Sequence, residues 1–281
     1  MVGIISSSYY RVPSHGKKGN KPSKQTFHNT KGMVSQDVVI ASVKKILEHE
    51  FIDCGCRLMT SYLTIDGYMI NHKKLYRIMK EEGLLKLDNR IDRSGSGRKF
   101  VKFRKVHTSR PLECLEMDIK MVWIPSVGKN AYLLSVIDVH TRRILKDYFS
   151  FNVKQNDVIA LLSQLFEDYN YPHSVVIRSD NGSQFIARKV REYLGLIGVQ
   201  QEFTHIATPE ENAHIEAYHG ILKKEVFRRF DYQCFGEIEQ ILKRYVKFYN
   251  TRRLHGLLGR ITPMEKWNED KHLIVMKKLT A

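Results

Sequence analysis

The chain has 281 residues, and its 42% hydrophobic content is ordinary for a globular protein with a sizeable buried core. The 46 Lys and Arg against 30 Asp and Glu give a net charge of +16, which predicts a polyanionic partner, nucleic acid before an acidic membrane surface. No run of 18 apolar residues occurs, which excludes a membrane-spanning helix, and the first residues lack the apolar segment of a signal peptide. We therefore expect a cytoplasmic protein with no membrane partner.

The positive charge is concentrated in the first third of the chain. Residues 1–107 contain 21 Lys and Arg against 9 Asp and Glu, whereas residues 108–281 contain 25 against 21. Residues 11–32 are rich in Lys, Gly, Ser and Pro and contain no acid, so we predict a flexible basic arm over residues 1–33. The uneven charge predicts that DNA binding and chemistry lie in separate parts of the chain.

Residues 34–87 show the apolar periodicity of three short helices. They are predicted to begin after Ser35, at Arg57 and near Asn71. Three helices with a basic third one are typical of a small all-α helix-turn-helix domain. The candidate DNA contacts on that third helix are His72, Lys73 and Arg77. The alternative is the solvated face of any small helical domain. A polar, Gly- and Ser-rich linker is predicted over residues 88–107.

The four cysteines raise the question of a zinc site. Cys54 and Cys56 lie near His49 and His72 in the sequence, which leaves zinc as an alternative. Paired CxxC motifs and a regular His spacing are missing, so we interpret the cysteines as reduced structural thiols.

The remaining chain alternates strand and helix patterns. Three short apolar segments after Thr108, separated by turn residues, predict an antiparallel meander. A helix, a strand, a helix, a strand and a long helix are predicted next, at residues 155–169, 174–180, 183–194, 201–204 and 210–229. This order is typical of a ribonuclease H-like fold. We therefore predict a catalytic core at residues 108–230 and a C-terminal helical extension at residues 231–281.

Three carboxylates occupy positions suited to divalent metal ions. Asp118 lies in the first apolar strand, where a charge is costly to bury unless a cation or partner compensates it. Asp180 ends the apolar strand VVIRSD, and Glu216 lies on the long helix. Cleavage of a phosphodiester by two metal ions needs acids from different elements, since two cations about 4 Å apart must be bridged. Taken singly, each acid has an ordinary alternative: a salt-bridge partner, a helix cap or a surface residue.

The spacing of these acids and their flanking sequences resemble the DDE transposases and retroviral integrases, specifically the second-reading-frame product of the insertion-sequence-three family. Asp118 and Asp180 are 62 positions apart, and 35 residues separate Asp180 from Glu216. RSDNGSQF and ENAHIEAYHGILKKE are similar to the family's blocks around the second Asp and the Glu. FYNTRRLHGLLGRITPMEKW is similar to its C-terminal signature, and SSSYYR and HKKLYRIMKEEGL also fit.

The resemblance implies a mixed five-stranded sheet with flanking helices. It implies that Asp118, Asp180 and Glu216 are the ligands of two Mg²⁺ ions, for which Mn²⁺ can substitute. Further candidate DNA contacts follow from the matching blocks: Lys223, Asn181, Gln184, Asn212, Arg252 and Arg253. For Asn181, Gln184 and Asn212 the alternative is that they shape the site. The chain departs from the family at Asn181, where Arg or Lys is common, and at Ala217-Tyr218, where Ser-Phe is common. Neither departure touches a predicted metal ligand.

The implied function is that of a transposase, which binds the ends of an insertion sequence and catalyses strand cleavage and strand transfer with two metal ions. The expected partners are double-stranded DNA, as terminal inverted repeats and as target, and a second copy of the chain in a dimer or larger assembly. A first-reading-frame protein is expected as a fusion or partner. The expected location is the bacterial cytoplasm, at the nucleoid.

Two other functions are weighed against this one. A non-catalytic DNA-binding repressor derived from a transposase is disfavoured because all three carboxylates are intact. A ribonuclease H-type nuclease acting on hybrids is disfavoured by the basic helical N-terminus and the YNTRRLHGLLG segment. His205 and His214 could serve as general bases, but we prefer loop or DNA-contact roles because the metal ions make a histidine base unnecessary.

Overall fold

The computed structural model describes residues 23–85, 106–170, 172, 174–205 and 209–275. The strands are β1 (Gln25–His28), β2 (Gly32–Ser35), β3 (Tyr68–Met69), β4 (Cys114–Ile124), β5 (Lys129–Asp138), β6 (Ile144–Ser150), β7 (Val176–Ser179) and β8 (Gln200–Phe203). The α-helices are α1 (Gln36–Leu47), α2 (Cys56–Ile65), α3 (His72–Glu81), α4 (Gln155–Asp168), α5 (Ser183–Ile186), α6 (Arg188–Leu196), α7 (Ala213–Leu222), α8 (Phe235–Thr251) and α9 (Pro263–Asp270). Within these ranges no helix has the length and apolar character needed to cross a bilayer.

The three N-terminal helices lie where the periodicity predicts them. α1 follows Ser35, and α3 begins after Asn71, whose side chain accepts hydrogen bonds from the backbone N–H groups of Lys73 and Lys74 at 2.8 and 3.0 Å. This cap satisfies donors that the first turn of a helix cannot pair internally. The apolar faces of the three helices bury one another in a core of their own, which includes Val39, Val43, Met59, Leu63, Leu75 and Ile78.

The N-terminal part also contains a small three-stranded sheet, which the sequence did not predict. β1 pairs antiparallel with β2 and with β3, so that Phe27 lies opposite both Met33 and Met69. The prediction of a flexible arm is therefore wrong for residues 25–33. The pairing of β1 with β3 spans about forty positions, and such non-local pairing leaves no local pattern. The rest of the predicted arm, residues 1–22, lies outside the described residues, as does most of the predicted linker.

The predicted catalytic core, residues 108–230, is built on a five-stranded mixed sheet of order β6-β5-β4-β7-β8. β4, β5 and β6 form the predicted antiparallel meander, and β7 and β8 continue the sheet in parallel with β4. The parallel pairs need crossover helices, which α4 and α6 supply. This is the sheet of a ribonuclease H-like fold, as predicted.

Helices cover both faces of this sheet. On β4, Leu115 and Met117 face a core shared with α4 and α6, while Val122 and Ile124 face a core shared with α7 and α8. Because side chains alternate along a strand, the even-numbered residues of β4, Asp118 among them, lie on the side of α7. The alternation therefore places the first predicted metal ligand beneath the helix that carries the third.

Two segments predicted as single helices are interrupted. The predicted helix at residues 183–194 is divided into α5 and α6 by Ala187, whose ψ of 136° is extended. The predicted helix at residues 210–229 consists of a 3₁₀ turn (Pro209–Asn212), α7 and a single π-helical turn (Lys223–Phe227). Single π-turns are often found near functional sites.

The C-terminal signature residues hold the extension onto the core. Asn250 accepts a hydrogen bond from the backbone N–H of Ile144 through Oδ1 and donates to its carbonyl oxygen through Nδ2, both at 2.9 Å. Thr262 caps α9, with Pro263 at the first helical position. Residues of the sequence signature thus fasten α8 and α9 in the fold.

The N-terminal helices dock on the C-terminal helix α8 through Phe51. This side chain lies in the segment between α1 and α2 and is 1% exposed. Its ring centroid lies 5.3, 5.2 and 5.4 Å from those of Phe230, Tyr245 and Phe248. Because Phe51 belongs to the core that covers β4 and β5, the three N-terminal helices and the part of the chain built on the five-stranded sheet share buried apolar surface.

Candidate active site

Asp118 is placed at the middle of the central strand. β4 pairs with β5 on one side, where Asp118 lies opposite Ser135, and with β7 on the other. The carboxylate is partly exposed, and its Oδ1 accepts a hydrogen bond from the backbone N–H of Ile119 at 2.7 Å. A strand paired on both sides is a rigid support, which suits a residue that must hold a fixed position.

Asp180 follows directly after β7. Glu116 on β4 pairs with Arg178 on the parallel strand β7, and Asp118 and Asp180 each lie two residues beyond this pair. The backbone N–H of Gly182 donates to Asp180 Oδ1 at 2.9 Å, which orients the carboxylate. Burial and then the negative charge of Asp118 raise the pKa of Asp180 above its ordinary value. The two aspartates are therefore near neighbours on adjacent interior strands of the sheet.

Glu216 lies in the first turn of α7 and has an exposed side chain. One turn further along this helix, Nδ1 of His219 lies 3.2 Å from Asp118 Oδ2. His219 is 5% exposed, and its Nε2 makes no hydrogen bond within the described part of the chain. His219 was not predicted as a site residue from the sequence. Its spacing of three from Glu216 places both residues on one side of a helix, and this spacing could have identified His219 as a site residue.

The structure brings two of the three predicted carboxylates together. Asp118 and Asp180 lie side by side, and α7 contacts Asp118 through His219. Among the described residues, no three His, Cys, Asp or Glu side chains are arranged to hold a metal ion. Glu216 is thus on the adjoining helix but is not gathered with the aspartates.

The predicted contacts around the site have backbone partners. Asn181 Nδ2 donates to the carbonyl oxygen of Thr204 at 3.0 Å, which ties the loop after Asp180 to the end of β8. Gln184 is partly exposed on α5. Asn212 is 5% exposed, and its Nδ2 approaches the carbonyl oxygen of Met117 at 3.4 Å. Asn181 and Asn212 therefore each donate to the backbone around the site, while the buried Oδ1 of Asn212 has no hydrogen-bond partner among the described residues.

The predicted basic contacts divide into exposed and engaged side chains. His72, Lys73, Lys223 and Arg252 are exposed. Arg77 lies 3.7 Å from Glu81 and donates to the carbonyl oxygen of Ser23 at 3.2 Å, so it is partly committed within its own domain. Arg253 is committed fully, in an ion pair with Glu225 at 2.8 Å whose side chains are only 14% and 7% exposed. We do not keep Arg253 among the candidate DNA contacts, because a guanidinium held in this way is not available to a phosphate.

The two candidate zinc cysteines are a buried thiol and a hydrogen-bond donor, and the two candidate base histidines each contact a carboxylate. Burial raises the pKa of the Cys54 thiol to about 12, so without a metal ion it is a protonated, buried thiol. Cys56 Sγ donates to the carbonyl oxygen of His72 at 3.2 Å. The ring nitrogen Nδ1 of His205 contacts Glu211 at 2.9 Å, and Nδ1 of His214 contacts Glu116 at 2.6 Å. Both histidines are held by buried carboxylates near the start of α7.

Comparison with known families places the site within a recognised domain. Two models of the integrase core domain match the chain, one over residues 108–209 and the other over residues 197–263. Together they span residues 108–263, more than half of the chain. Both predicted aspartates fall in the first match, and Glu216 falls in the second.

Two curated transposases are similar to this chain over most of their length, and a solved integrase core domain is similar to part of it. The putative transposase InsK for insertion sequence element IS150 of Escherichia coli K12 is 26% identical over 261 residues, which cover 88% of this chain and 90% of the relative. The transposase for insertion sequence element IS904 of Lactococcus lactis IL1403 is 23% identical over 256 residues, covering 88% and 98%. The catalytic core domain of BIV integrase is 16% identical, with a TM-score of 0.45, and covers 58% of this chain and 97% of that one.

Proposed function

Because this chain is a DDE-type transposase of the insertion-sequence-three family, we propose that Asp118, Asp180 and Glu216 together hold the divalent metal ions of its strand-cutting site. The observation that carries the proposal is the proximity of Asp118 and Asp180, on neighbouring parallel strands, beneath the helix that bears Glu216. The enzyme is a polynucleotidyl transferase that cuts DNA and transfers the cut strand.

The donor set fits a hard divalent cation. Asp180 is exposed, but partial desolvation and the charge of Asp118 raise its pKa despite the hydrogen bond from Gly182, and a bound cation offsets both effects. Carboxylate oxygens select Mg²⁺ or Mn²⁺ over the metals that prefer thiolate or imidazole. When bound, two such ions activate the attacking water or 3′-hydroxyl and stabilise charge on the leaving oxygen.

Each carboxylate has a distinct structural task. Asp118 is fixed by the paired strand β4 and by the N–H of Ile119, so it provides the stationary part of the site. The backbone N–H of Gly182 holds the Asp180 carboxylate in place at the end of β7. Glu216, on the exposed side of α7, completes the set from the helix. Acids drawn from a strand, a strand end and a helix can surround the metal ions from different directions.

DNA is proposed to lie along the exposed basic residues. Lys223 follows Glu216 by seven positions, about two helical turns, so it shares that face of α7 and can bind a phosphate beside the site. The exposed His72 and Lys73 on α3 are proposed to contact the terminal inverted repeats. Joining two ends requires both in one assembly, so we propose a dimer or larger complex on DNA, with a first-reading-frame protein as fusion or partner.

The proposal is tested by nicking of a labelled duplex that carries the element's end, in Mg²⁺, beside a DNA-binding titration. Asp118→Asn, Asp180→Asn and Glu216→Gln should each abolish nicking and strand joining, because a neutral amide holds the cation poorly. Their DNA affinity should stay the same or rise slightly, since repulsion from the phosphates falls. Glu192→Gln, at an exposed acid paired with Arg188 on α6, is the matched control and should nick normally.

Two results would contradict the proposal. One is wild-type nicking by any of the three carboxylate variants. The other is a wild-type protein that binds element ends but never cuts them, even with a first-reading-frame partner added, which would favour a repressor.

A further inference from the structure

A second acid on β4 is fully buried beside the active site. Glu116 precedes Asp118 by two residues, so both side chains lie on the same side of the strand, towards α7. The Glu116 side chain has 0% exposure, whereas Asp118 is partly exposed. Burying a carboxylate costs free energy unless hydrogen bonds compensate it. The hydrogen-bond partners of Glu116 therefore show what compensates the cost of burying its carboxylate.

Glu116 is hydrogen-bonded to the first turn of α7. Its Oε2 accepts the backbone N–H groups of His214 and Ile215, both at 2.9 Å. Its Oε1 lies 2.6 Å from Nδ1 of His214. The residue after Ile215 is Glu216, so the carboxylate of Glu116 binds the backbone immediately before the third predicted metal ligand.

The carboxylate of Glu116 stabilises the N-terminus of α7. The first N–H groups of an α-helix have no partner within the helix and carry partial positive charge, which an anion stabilises. Asn212, at the N-cap position of α7, makes no side-chain capping bond there and instead approaches the carbonyl oxygen of Met117. Glu116 thus supplies, from a different element, the cap that a local Ser or Asp usually gives.

Three consecutive residues of β4 contact α7 or its N-cap residue. Glu116 binds residues 214 and 215, Met117 contacts Asn212, and Asp118 contacts His219. We infer that Glu116 is a positioning residue of the active site: it fixes the height and rotation of the first turn of α7, and so the place of Glu216 relative to Asp118. The inference rests on the proposed role of Glu216 as a metal ligand.

The size of the expected effect follows from the precision that catalysis needs. A shift of about 1 Å in a catalytic group costs on the order of 100-fold in rate. Glu116→Leu removes every acceptor and leaves two helix N–H groups unpaired. Its nicking rate per folded molecule, at saturating DNA, should fall by roughly that factor. The Mn²⁺ concentration for half-maximal nicking should rise, and DNA affinity should not change.

A conservative variant separates positioning from simple loss of a residue. The side-chain oxygen of Glu116→Gln can still accept from residues 214 and 215, and its amide can donate to the His214 ring. Glu116→Gln should therefore restore most of the rate lost in Glu116→Leu. The readout independent of activity is hydrogen exchange: the amides of residues 213–216 should exchange faster in Glu116→Leu, with little change in β5 and α4.

The matched control is Asp138→Asn. Asp138 is also a strand acid of 0% exposure that accepts backbone N–H groups, from Leu112 at 2.9 Å and Thr141 at 2.8 Å, and its hydrogen-bond partners among the described residues lie outside α7. It should lose stability while keeping wild-type nicking per folded molecule and wild-type exchange in α7. If Glu116→Leu fails to fold, exchange of the His214 and Ile215 amides in the wild-type protein decides: slow exchange supports the inference.

Two outcomes would overturn the inference: wild-type nicking per folded molecule by Glu116→Leu, or amides of residues 214 and 215 that exchange as fast as those of an exposed loop. Failure of the proposed function looks different. In that case Glu216→Gln nicks like the wild-type protein, whatever Glu116 variants do.

Discussion

The Arg253 guanidinium and the Glu225 carboxylate form a buried, multiply hydrogen-bonded ion pair. Arg253 Nε lies 3.1 and 3.0 Å from the two carboxylate oxygens, and its terminal nitrogen reaches Glu225 Oε1 at 2.8 Å. Tyr245 donates its hydroxyl to Glu225 Oε2 at 2.9 Å. The pair ties the π-helical turn after α7 to the chain beyond α8. Arg253, a residue of the C-terminal signature, therefore stabilises the end of the helical segment that bears Glu216.

Removal of Arg253 should therefore destabilise the protein. Arg253→Ala leaves Glu225 buried without its partner, and such a loss costs about 3–5 kcal/mol in the free energy of unfolding. Arg252→Ala, one residue earlier at an exposed position, should change it by no more than about 0.5 kcal/mol. Urea unfolding of both variants provides the measurement. Equal stability of Arg253→Ala and Arg252→Ala would show that the ion pair does not fasten the fold.

Phe51 should couple the two parts of the chain. Phe51→Ala empties its place among Phe230, Tyr245 and Phe248, and a change of this kind costs about 3–5 kcal/mol. We expect calorimetry of Phe51→Ala to resolve separate unfolding transitions for the three N-terminal helices and for the part built on the five-stranded sheet. Phe27→Ala, at a phenylalanine that is 43% exposed on β1, is the control and should keep the wild-type profile. An unchanged single transition in Phe51→Ala would contradict the docking.

His255 should make the stability fall in mild acid. Burial, followed by the charges of Arg253 and Arg142, lowers the pKa of His255 from its ordinary 6.5 to about 3. The unfolded chain then binds a proton between these two values that the folded protein does not bind. Stability is therefore fully present above pH 6.5 and is lost as the pH falls towards 3, by at most about 1.4 kcal/mol per pH unit.

The test compares the wild-type protein with His255→Gln, which cannot take up this proton. Packing against Tyr249 is weakened in the variant at every pH, but its stability deficit should shrink as the pH falls from 6.5. Comparing the two proteins cancels the titration of other groups, including the buried acids. His272→Gln, at an exposed site, is the control. A deficit that stays constant between pH 7 and pH 4 would refute the assignment.

The sequence predicted the elements that have strong local signals. Apolar periodicity located α1, α2 and α3, and the meander β4 to β6 followed from short apolar segments separated by turns. It missed β1 and β2, which form a local hairpin within a segment interpreted as a basic arm, and the pairing of β1 with the distant β3. It merged α5 with α6, since the break at Ala187 carries no Gly or Pro. The π-helical turn likewise left no mark in the periodicity.

The candidate site was predictable where chemistry fixes residue type, and not where partners are distant. Asp118 and Asp180 stood out as acids in apolar strands, and the structure makes them neighbours. The role of Arg253 depends on Glu225, 28 positions earlier, and that of Glu116 on residues about 98 positions later. A local pattern cannot distinguish an arginine in a buried ion pair from one that meets a phosphate.

Lys73 should contribute one phosphate contact on α3. Lys73→Gln is expected to weaken binding to all DNA sequences alike and to lower the slope of log affinity against log salt by about 1. Lys266→Gln is the control, because the Lys266 ammonium already forms an ion pair with Asp270 at 2.8 Å. Binding titrations at several salt concentrations give both slopes. An unchanged slope for Lys73→Gln would remove α3 from the DNA interface at that position.

The most direct test of the central claim is to locate Mn²⁺ by its anomalous scattering in crystals of the protein bound to an element end. We predict metal peaks that contact carboxylate oxygens of Asp118, Asp180 and Glu216, with Glu216 turned from its exposed position towards the two aspartates. Metal bound to the aspartates while Glu216 stays in solvent, or bound elsewhere in the chain, would contradict the three-carboxylate site.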